Sequence, residues 1–208
     1  MNRKIRIQII CEGQEEWWYM NRLLSFKLYD SDLYLFLPVI NVKTNTQLVP
    51  RYQNEYANGK SDIILIFCDV DKDIEHFNEM VNTLATNISV TFETAKKLFI
   101  YANPVTLQIV LSHFSKVSLT HVAKARNSEI VEQLTGIKNY SAKEEQIKEM
   151  MNKITYSTYE IMKQNLQELS SNVDDVPSTN FIEFLNNIEG NDASWVTNII
   201  NEIKNNYI

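Results

Sequence analysis

The chain has 208 residues, of which 44% are hydrophobic, and its 26 acidic and 20 basic residues give a formal net charge of −6. That length allows one well-buried core with a modest helical addition, and the scarcity of glycine and proline, four of each, argues against disordered and repeat classes. The net negative charge argues against a protein that binds nucleic acid through its overall charge, because affinity for a polyanion comes mainly from basic side chains that neutralise phosphates.

The first predicted elements are a strand and a helix joined by a short loop. Residues 5–11 alternate apolar and polar side chains before an apolar end, which predicts a strand. The strand stops at Glu12-Gly13, and apolar residues at helical spacing predict a helix over 15–28. The start of the chain lacks the pattern of a signal peptide, and no run approaches the ~20 apolar residues that span a bilayer. We therefore expect a cytoplasmic protein with no membrane segment.

The middle of the chain continues the alternation of strands and helices. Residues 33–42 are predicted as a second strand, which tolerates Pro38 only at an edge or a bulge. A weakly helical stretch over 46–59 would end at its glycine, and 62–68 is a continuous apolar run typical of a parallel strand covered on both faces. The next three elements are predicted as a helix, a strand and a buried helix, over 74–87, 97–101 and 105–114.

Beyond residue 127 the chain is predicted to be helical to its end. The helices are expected near 143–154, 157–171, 178–188 and 193–206. Strands alternating with helices, followed by helices alone, are typical of an α/β fold with a mostly parallel, Rossmann-like sheet flanked by helices and a helical C-terminal elaboration. We therefore divide the chain into an α/β part, 1–126, and a helical extension, 127–208, packed on or beside it, with one single domain as the alternative.

Acidic residues follow two of the predicted strands. Glu12 follows the first strand, and Asp69, Asp71 and Asp73 follow the apolar run 62–68. Functional groups gather at the carboxyl edge of an open parallel sheet, so we expect Glu12, Asp69 and Asp71 to converge if these strands are neighbours. Hard oxygen ligands of this kind suit Mg²⁺ or Mn²⁺, and Asp73 would join them or bind a second ion through water. The alternative is a solvated turn that caps a helix.

One basic segment stands out in an acidic chain. No Asp or Glu occurs between residues 94 and 128, where three basic residues are candidates for contact with nucleic acid: Lys116, Lys124 and Arg126. A solvated helix face is the competing interpretation. His113, in the same segment, is either a proton carrier or a hydrogen-bonded core residue.

Two segments resemble the Toprim domain, the catalytic α/β module of topoisomerases, primases, OLD-type nucleases and ribonuclease M5. They are Ile-Cys-Glu-Gly-Gln-Glu-Glu at 10–16 and Phe-Cys-Asp-Val-Asp-Lys-Asp at 67–73. The stretch 102–114, with Asn103-Pro104 at its start and Leu-Ser-His-Phe at its end, is similar to the "NPxFExWLLLHF" pattern of the RloB-like branch. Pro-Ser-Thr-Asn at 177–180 also resembles that branch, so the likeness covers most of the chain.

The resemblance implies roles for individual residues. Glu12 matches the Toprim glutamate that acts as general acid/base or metal ligand, and Asp69 and Asp71 match the aspartates that bind Mg²⁺. Glu16 falls on the second acid of the branch's "EGxTE" motif, and Asn103 falls on the Asn of its "NP" motif.

The chain departs from the branch pattern at two positions. Glu15 stands where a Thr is usual, and Leu107 stands where the pattern has a Glu, so one acidic group is missing. Acids at 15 and 16 also have a structural explanation, since they favour the start of a helix through its dipole.

The activity that the resemblance implies is Mg²⁺-dependent phosphodiester hydrolysis of DNA or RNA by a Toprim-type nuclease, with Mn²⁺ as an alternative ion. The RloB-like branch is associated with restriction and phage-defence loci. The competing hypothesis is a non-catalytic Toprim-like regulatory or partner subunit of a defence system, bound to another protein of its operon. A nucleotide-binding or phosphotransferase domain is a third option, and a homodimer is compatible with the sequence.

Overall fold

The computed structural model describes residues 3–26 and 32–206. The strands are β1 Ile5–Cys11, β2 Tyr34–Phe36, β3 Ile40–Asn41, β4 Ile63–Asp69, β5 Phe99–Asn103 and β6 Ser178–Thr179. They form one sheet in the order β2-β1-β4-β5-β6, with β3 also paired to β1. Every pairing is parallel except that of β5 with β6. The predicted α/β fold with a mostly parallel sheet is confirmed.

Ten α-helices lie within these residues and flank the sheet. They are α1 Gln14–Ser25, α2 Leu48–Ala57, α3 Ile74–Asn87, α4 Phe92–Lys96, α5 Leu107–Leu111, α6 Ser128–Thr135, α7 Glu144–Lys153, α8 Tyr156–Leu166, α9 Phe181–Glu189 and α10 Ser194–Asn206. In the described part of the chain, none of them combines the length and the apolar character that a membrane span requires.

The centre of the sheet is buried because β4 and β5 are largely apolar up to a polar residue at the end of each strand. Residues 63–68 of β4 and all five residues of β5 are buried. Because successive residues of a strand face opposite sides of the sheet, β4 is covered on both faces, as the continuous apolar run predicted. It also lies between β1 and β5. Burying each large apolar side chain here stabilises the fold by roughly 1.5–3 kcal/mol relative to exposure.

The predicted second strand is split in two by Pro38. Tyr34–Phe36 and Ile40–Asn41 both pair with β1, and residues 37–39 between them lie outside the two strands, although the Leu37 N–H still donates to the Ile7 carbonyl at 2.9 Å. Proline has no N–H to give to a ladder. The Pro38 carbonyl instead accepts a hydrogen bond from the side-chain amide of Gln8. Pro38 therefore lies at the edge of the sheet, one of the two kinds of position at which a proline was expected.

The segment after residue 127 differs from the all-helical prediction in more than one respect. The helix predicted over 157–171 ends at Leu166, and α6 was not among the four predicted helices. Ser178 and Thr179, predicted to begin a helix, form β6 and pair antiparallel with Asn103 and Ala102, so the helix begins at Phe181. The C-terminal half thus contributes a strand to the sheet as well as helices. The prediction also lacked α4, whose first turn is capped by the Thr91 hydroxyl, which accepts from the Thr94 N–H.

Asn180 extends the pairing of β5 beyond β6. Its side-chain oxygen accepts from the Tyr101 N–H at 2.9 Å, and its side-chain nitrogen donates to the Phe99 carbonyl at 2.7 Å. One amide side chain thereby satisfies two backbone groups of a buried strand.

We expect Asn180→Ala to destabilise the protein, because it leaves both backbone groups of β5 without a partner at a cost of roughly 1–3 kcal/mol each. Denaturant unfolding measures the change. Asn186→Ala is the matched control, since Asn186 is exposed on α9 and surface substitutions usually change stability by less than about 0.5 kcal/mol. Equal stabilities of the two variants would contradict a structural role for the Asn180 amide.

Candidate functional site

The acidic ends of β1 and β4 meet at the carboxyl edge of the sheet. Cys11 pairs with Phe67 in the parallel ladder, and the Glu12 N–H donates to the Phe67 carbonyl at 3.0 Å. The Asp69 N–H in turn donates to Glu12 Oε2 at 3.1 Å. Two loops that are far apart in the sequence therefore lie in direct contact, because neighbouring strands place them there.

Asp69 is held in one orientation by its neighbours. Its Oδ1 atom accepts hydrogen bonds from both the N–H and the hydroxyl of Thr106, the latter at 2.7 Å. Its Oδ2 atom lies 3.8 Å from the Lys124 ammonium, and the side chain is only 12% exposed. Thr106 lies between β5 and α5, so the loop that follows β5 fixes the carboxylate.

Glu15 is bound at both carboxylate oxygens. Oε1 accepts from the hydroxyl of Tyr140, and Oε2 forms an ion pair with Lys124. Glu15 is 6% exposed and Tyr140 is 1% exposed. Glu15 therefore does more than favour the start of α1, because it joins Lys124 and Tyr140 to the end of β1.

Five carboxylates form what we call the acidic cluster: Glu12, Glu15, Glu16, Asp69 and Asp71. Burial, followed by the charges of Asp69 and Asp71, raises the pKa of Glu12 to about 7. Burial likewise raises the pKa of Asp69 to about 6, against the opposing effect of Lys124. Burial, followed by the charges of Asp69 and Glu15, raises the pKa of Glu16 well above its ordinary value. The cluster is thus short of positive charge.

Asp71 and Asp73 occupy a tight turn between β4 and α3. Asp71 has a φ of 54°, and its N–H donates to the Pro104 carbonyl at 2.9 Å. Burial raises the pKa of the Asp71 carboxyl. Asp73 caps α3, since its Oδ1 accepts from the His76 N–H at 3.0 Å. Asp73 therefore caps a helix, which was the alternative to a metal ligand, whereas Asp71 is part of the acidic cluster with Glu12 and Asp69.

The donor chemistry of the acidic cluster fits a hard divalent cation, because carboxylate oxygens are the ligands that Mg²⁺ and Mn²⁺ prefer. The Lys124 ammonium already lies among these oxygens, so the cluster accommodates positive charge. Across residues 3–26 and 32–206, no three Asp, Glu, His or Cys side chains are arranged as a ready-made cage.

Two other candidates from the sequence have structural surroundings. Asn103 is fully buried, and its amide donates to the Val173 and Asp175 carbonyls at 2.8 and 3.2 Å, while its Oδ1 has no hydrogen-bond partner among the described residues. His113 is also fully buried, and its ring nitrogens bond the hydroxyls of Tyr19 and Thr158. Burial lowers the pKa of His113 to about 3. Its surroundings are therefore those of a hydrogen-bonded core residue, one of the two interpretations made from the sequence.

The three basic candidates have different surroundings. Lys116 is exposed and paired with Glu168, and Arg126 is exposed. Lys124 instead points into the acidic cluster, and its side chain is 27% exposed. Its ammonium is therefore an internal counter-ion of the carboxylates. Leu107, at the position where the RloB-like pattern has a Glu, is fully buried and brings no charge to the site.

Sequence reasoning missed the parts played by Lys124, Tyr140 and Thr106. The segment without acidic residues pointed to Lys124, but it could not indicate the ion pair, because the partner Glu15 lies 109 positions away in the sequence. Nothing local marks a Tyr or a Thr as the partner of a distant carboxylate.

The chain gave no significant match to any protein-family model, curated protein or solved structure with which it was compared. The interpretation of the site therefore depends on its own residues.

We expect Tyr140→Phe to lower the free energy of unfolding by roughly 1–3 kcal/mol, because it removes a hydrogen bond from a buried carboxylate. Denaturant unfolding measures the loss. Tyr156→Phe is the matched control, since Tyr156 is 60% exposed and should change stability by less than about 0.5 kcal/mol. A Tyr140→Phe variant as stable as this control would show that Glu15 does not depend on the tyrosine.

Proposed function

We propose that this chain is a cytoplasmic Mg²⁺-dependent nuclease of Toprim type, which hydrolyses phosphodiester bonds in nucleic acid. The observation that carries the proposal is the contact between Glu12 and Asp69, which brings together acids from two neighbouring strand ends. The resemblance of 10–16 and 67–73 to Toprim motifs supports the same chemistry. The resemblance to the RloB-like branch is the basis for proposing a role in phage defence.

The residues of the acidic cluster divide the chemistry between them. Glu12, Asp69 and Asp71 would hold the ion, which when bound polarises a phosphate and makes a water molecule more acidic. Thr106 fixes the orientation of the Asp69 carboxylate. Glu12 has a pKa of about 7 before any ion binds, so it would give up its proton near neutral pH when it ligates the ion, because metal ligands must be deprotonated.

The nucleic acid would approach along exposed basic side chains. Arg126 lies two residues from Lys124, so it is close in sequence to a residue of the site, and it is exposed. Because the chain carries net negative charge, contact with phosphates must come from such local positions.

We expect the purified protein to cleave DNA or RNA in the presence of Mg²⁺ or Mn²⁺, and Asp69→Asn to lower the rate by roughly a hundredfold or more. This substitution removes the charge and keeps an oxygen for Thr106. Glu160→Gln makes the same change of charge at an exposed position on α8 and should cleave at the wild-type rate. Cleavage by Asp69→Asn at that same rate would defeat the assignment.

A non-catalytic Toprim-like partner subunit is the second candidate. It is favoured by the contacts of Asp69, whose oxygens face Thr106 and Lys124, and by the apolar Leu107. This candidate predicts stable association with another protein and no metal-dependent turnover. Calorimetric binding of Mg²⁺ together with cleavage would decide against it.

A further inference from the structure

Lys124 occupies a defined position within the acidic cluster. Its ammonium pairs with Glu15 and lies 3.8 Å from Asp69 Oδ2, whereas Glu12 accepts a hydrogen bond from the Asp69 backbone. The Lys124 ammonium therefore faces the side chain of Asp69, whereas the Glu12 carboxylate accepts from the backbone N–H of Asp69. One flank of Asp69 already holds a positive charge.

The position of Lys124 is fixed by its own partners and by the segment that carries it. Glu15 cannot turn away easily, because Tyr140 holds its other oxygen. Upstream of Lys124, the buried Gln108 side chain donates to the Val117 carbonyl and accepts from the Leu119 N–H, at 2.9 and 2.8 Å. Segment 117–124 is therefore tied to α5 at one end and to the acidic cluster at the other.

The charge of Lys124 is maintained by its surroundings. The ammonium lies against the carboxylate oxygens of Glu15 and Asp69, and opposite charges at this range favour its charged form. A cation that approached Asp69 on this flank would meet a fixed like charge at close range, which strongly disfavours binding.

We propose that Lys124 supplies the positive charge that a second divalent cation would otherwise bring, so that the acidic cluster takes one ion, beside Glu12 and Asp71. This inference rests on the proposed function, since it assumes that the cluster binds a divalent cation at all. The site then binds one divalent ion, and the Lys124 ammonium takes the place of a second.

The test is the number of Mn²⁺ ions bound, measured by calorimetry and by metal analysis after equilibrium dialysis. The wild-type protein should bind one ion. Lys124→Met, which keeps the length of the side chain and loses the charge, should bind two, and Lys124→Arg, which keeps the charge, should bind one. Lys116→Met is the matched control, because Lys116 is exposed and paired outside the cluster, and it should bind one ion with wild-type affinity.

The outcomes separate this inference from the proposed function. Two ions in the wild-type protein, or one ion in Lys124→Met with unchanged affinity, overturns the role of Lys124 and leaves the metal site standing. No binding by the wild-type protein overturns both. Circular dichroism in the presence of a chelator checks that each variant is folded. If Lys124→Met does not fold, Lys124→Gln, which can still donate to Glu15, takes its place with the same expected count of two.

Discussion

Parallel pairing of β1 with β4 is held at both ends by polar contacts. At the start, Asp62 accepts hydrogen bonds from the backbone N–H of Arg6 at 2.8 Å and from its guanidinium. At the end, the Asp69 N–H donates to Glu12. A slip of one residue would turn every side chain of a strand to the opposite face. It would also break both contacts, so the register that builds the core also brings the acids together.

The acidic cluster is costly to assemble, because burial disfavours each charged carboxylate and the neighbouring charges add to the cost. The fold offsets part of this cost with fixed donors: the Asp69 N–H for Glu12 and the hydroxyl of Thr106 for Asp69. Lys124 offsets another part with a full charge. A single ammonium cannot balance five carboxylates. The remaining negative charge is neutralised by protonation, as the raised pKa of Glu12 indicates, or by a bound cation.

The sequence was sufficient for those features that follow from local pattern. The apolar run in β4 and the acids that follow it predicted a buried parallel strand with polar groups at its carboxyl end, and the structure has both. β6 escaped prediction because two residues carry no periodicity of their own and become a strand only by pairing with β5. The ion pair of Lys124 with Glu15 escaped for the same reason, since only the folded chain brings the two residues together.

The helical half of the chain is part of the site's electrostatic structure. Tyr140 follows α6, yet its hydroxyl is bonded to Glu15 at the start of α1. Glu15 holds Lys124 with its remaining oxygen. Removing the tyrosine contact would free that carboxylate to rotate, and Lys124 would then lose its fixed distance from Asp69. The positive charge beside Asp69 therefore depends on residues from both halves of the sequence, and the position of Lys124 follows from their packing together.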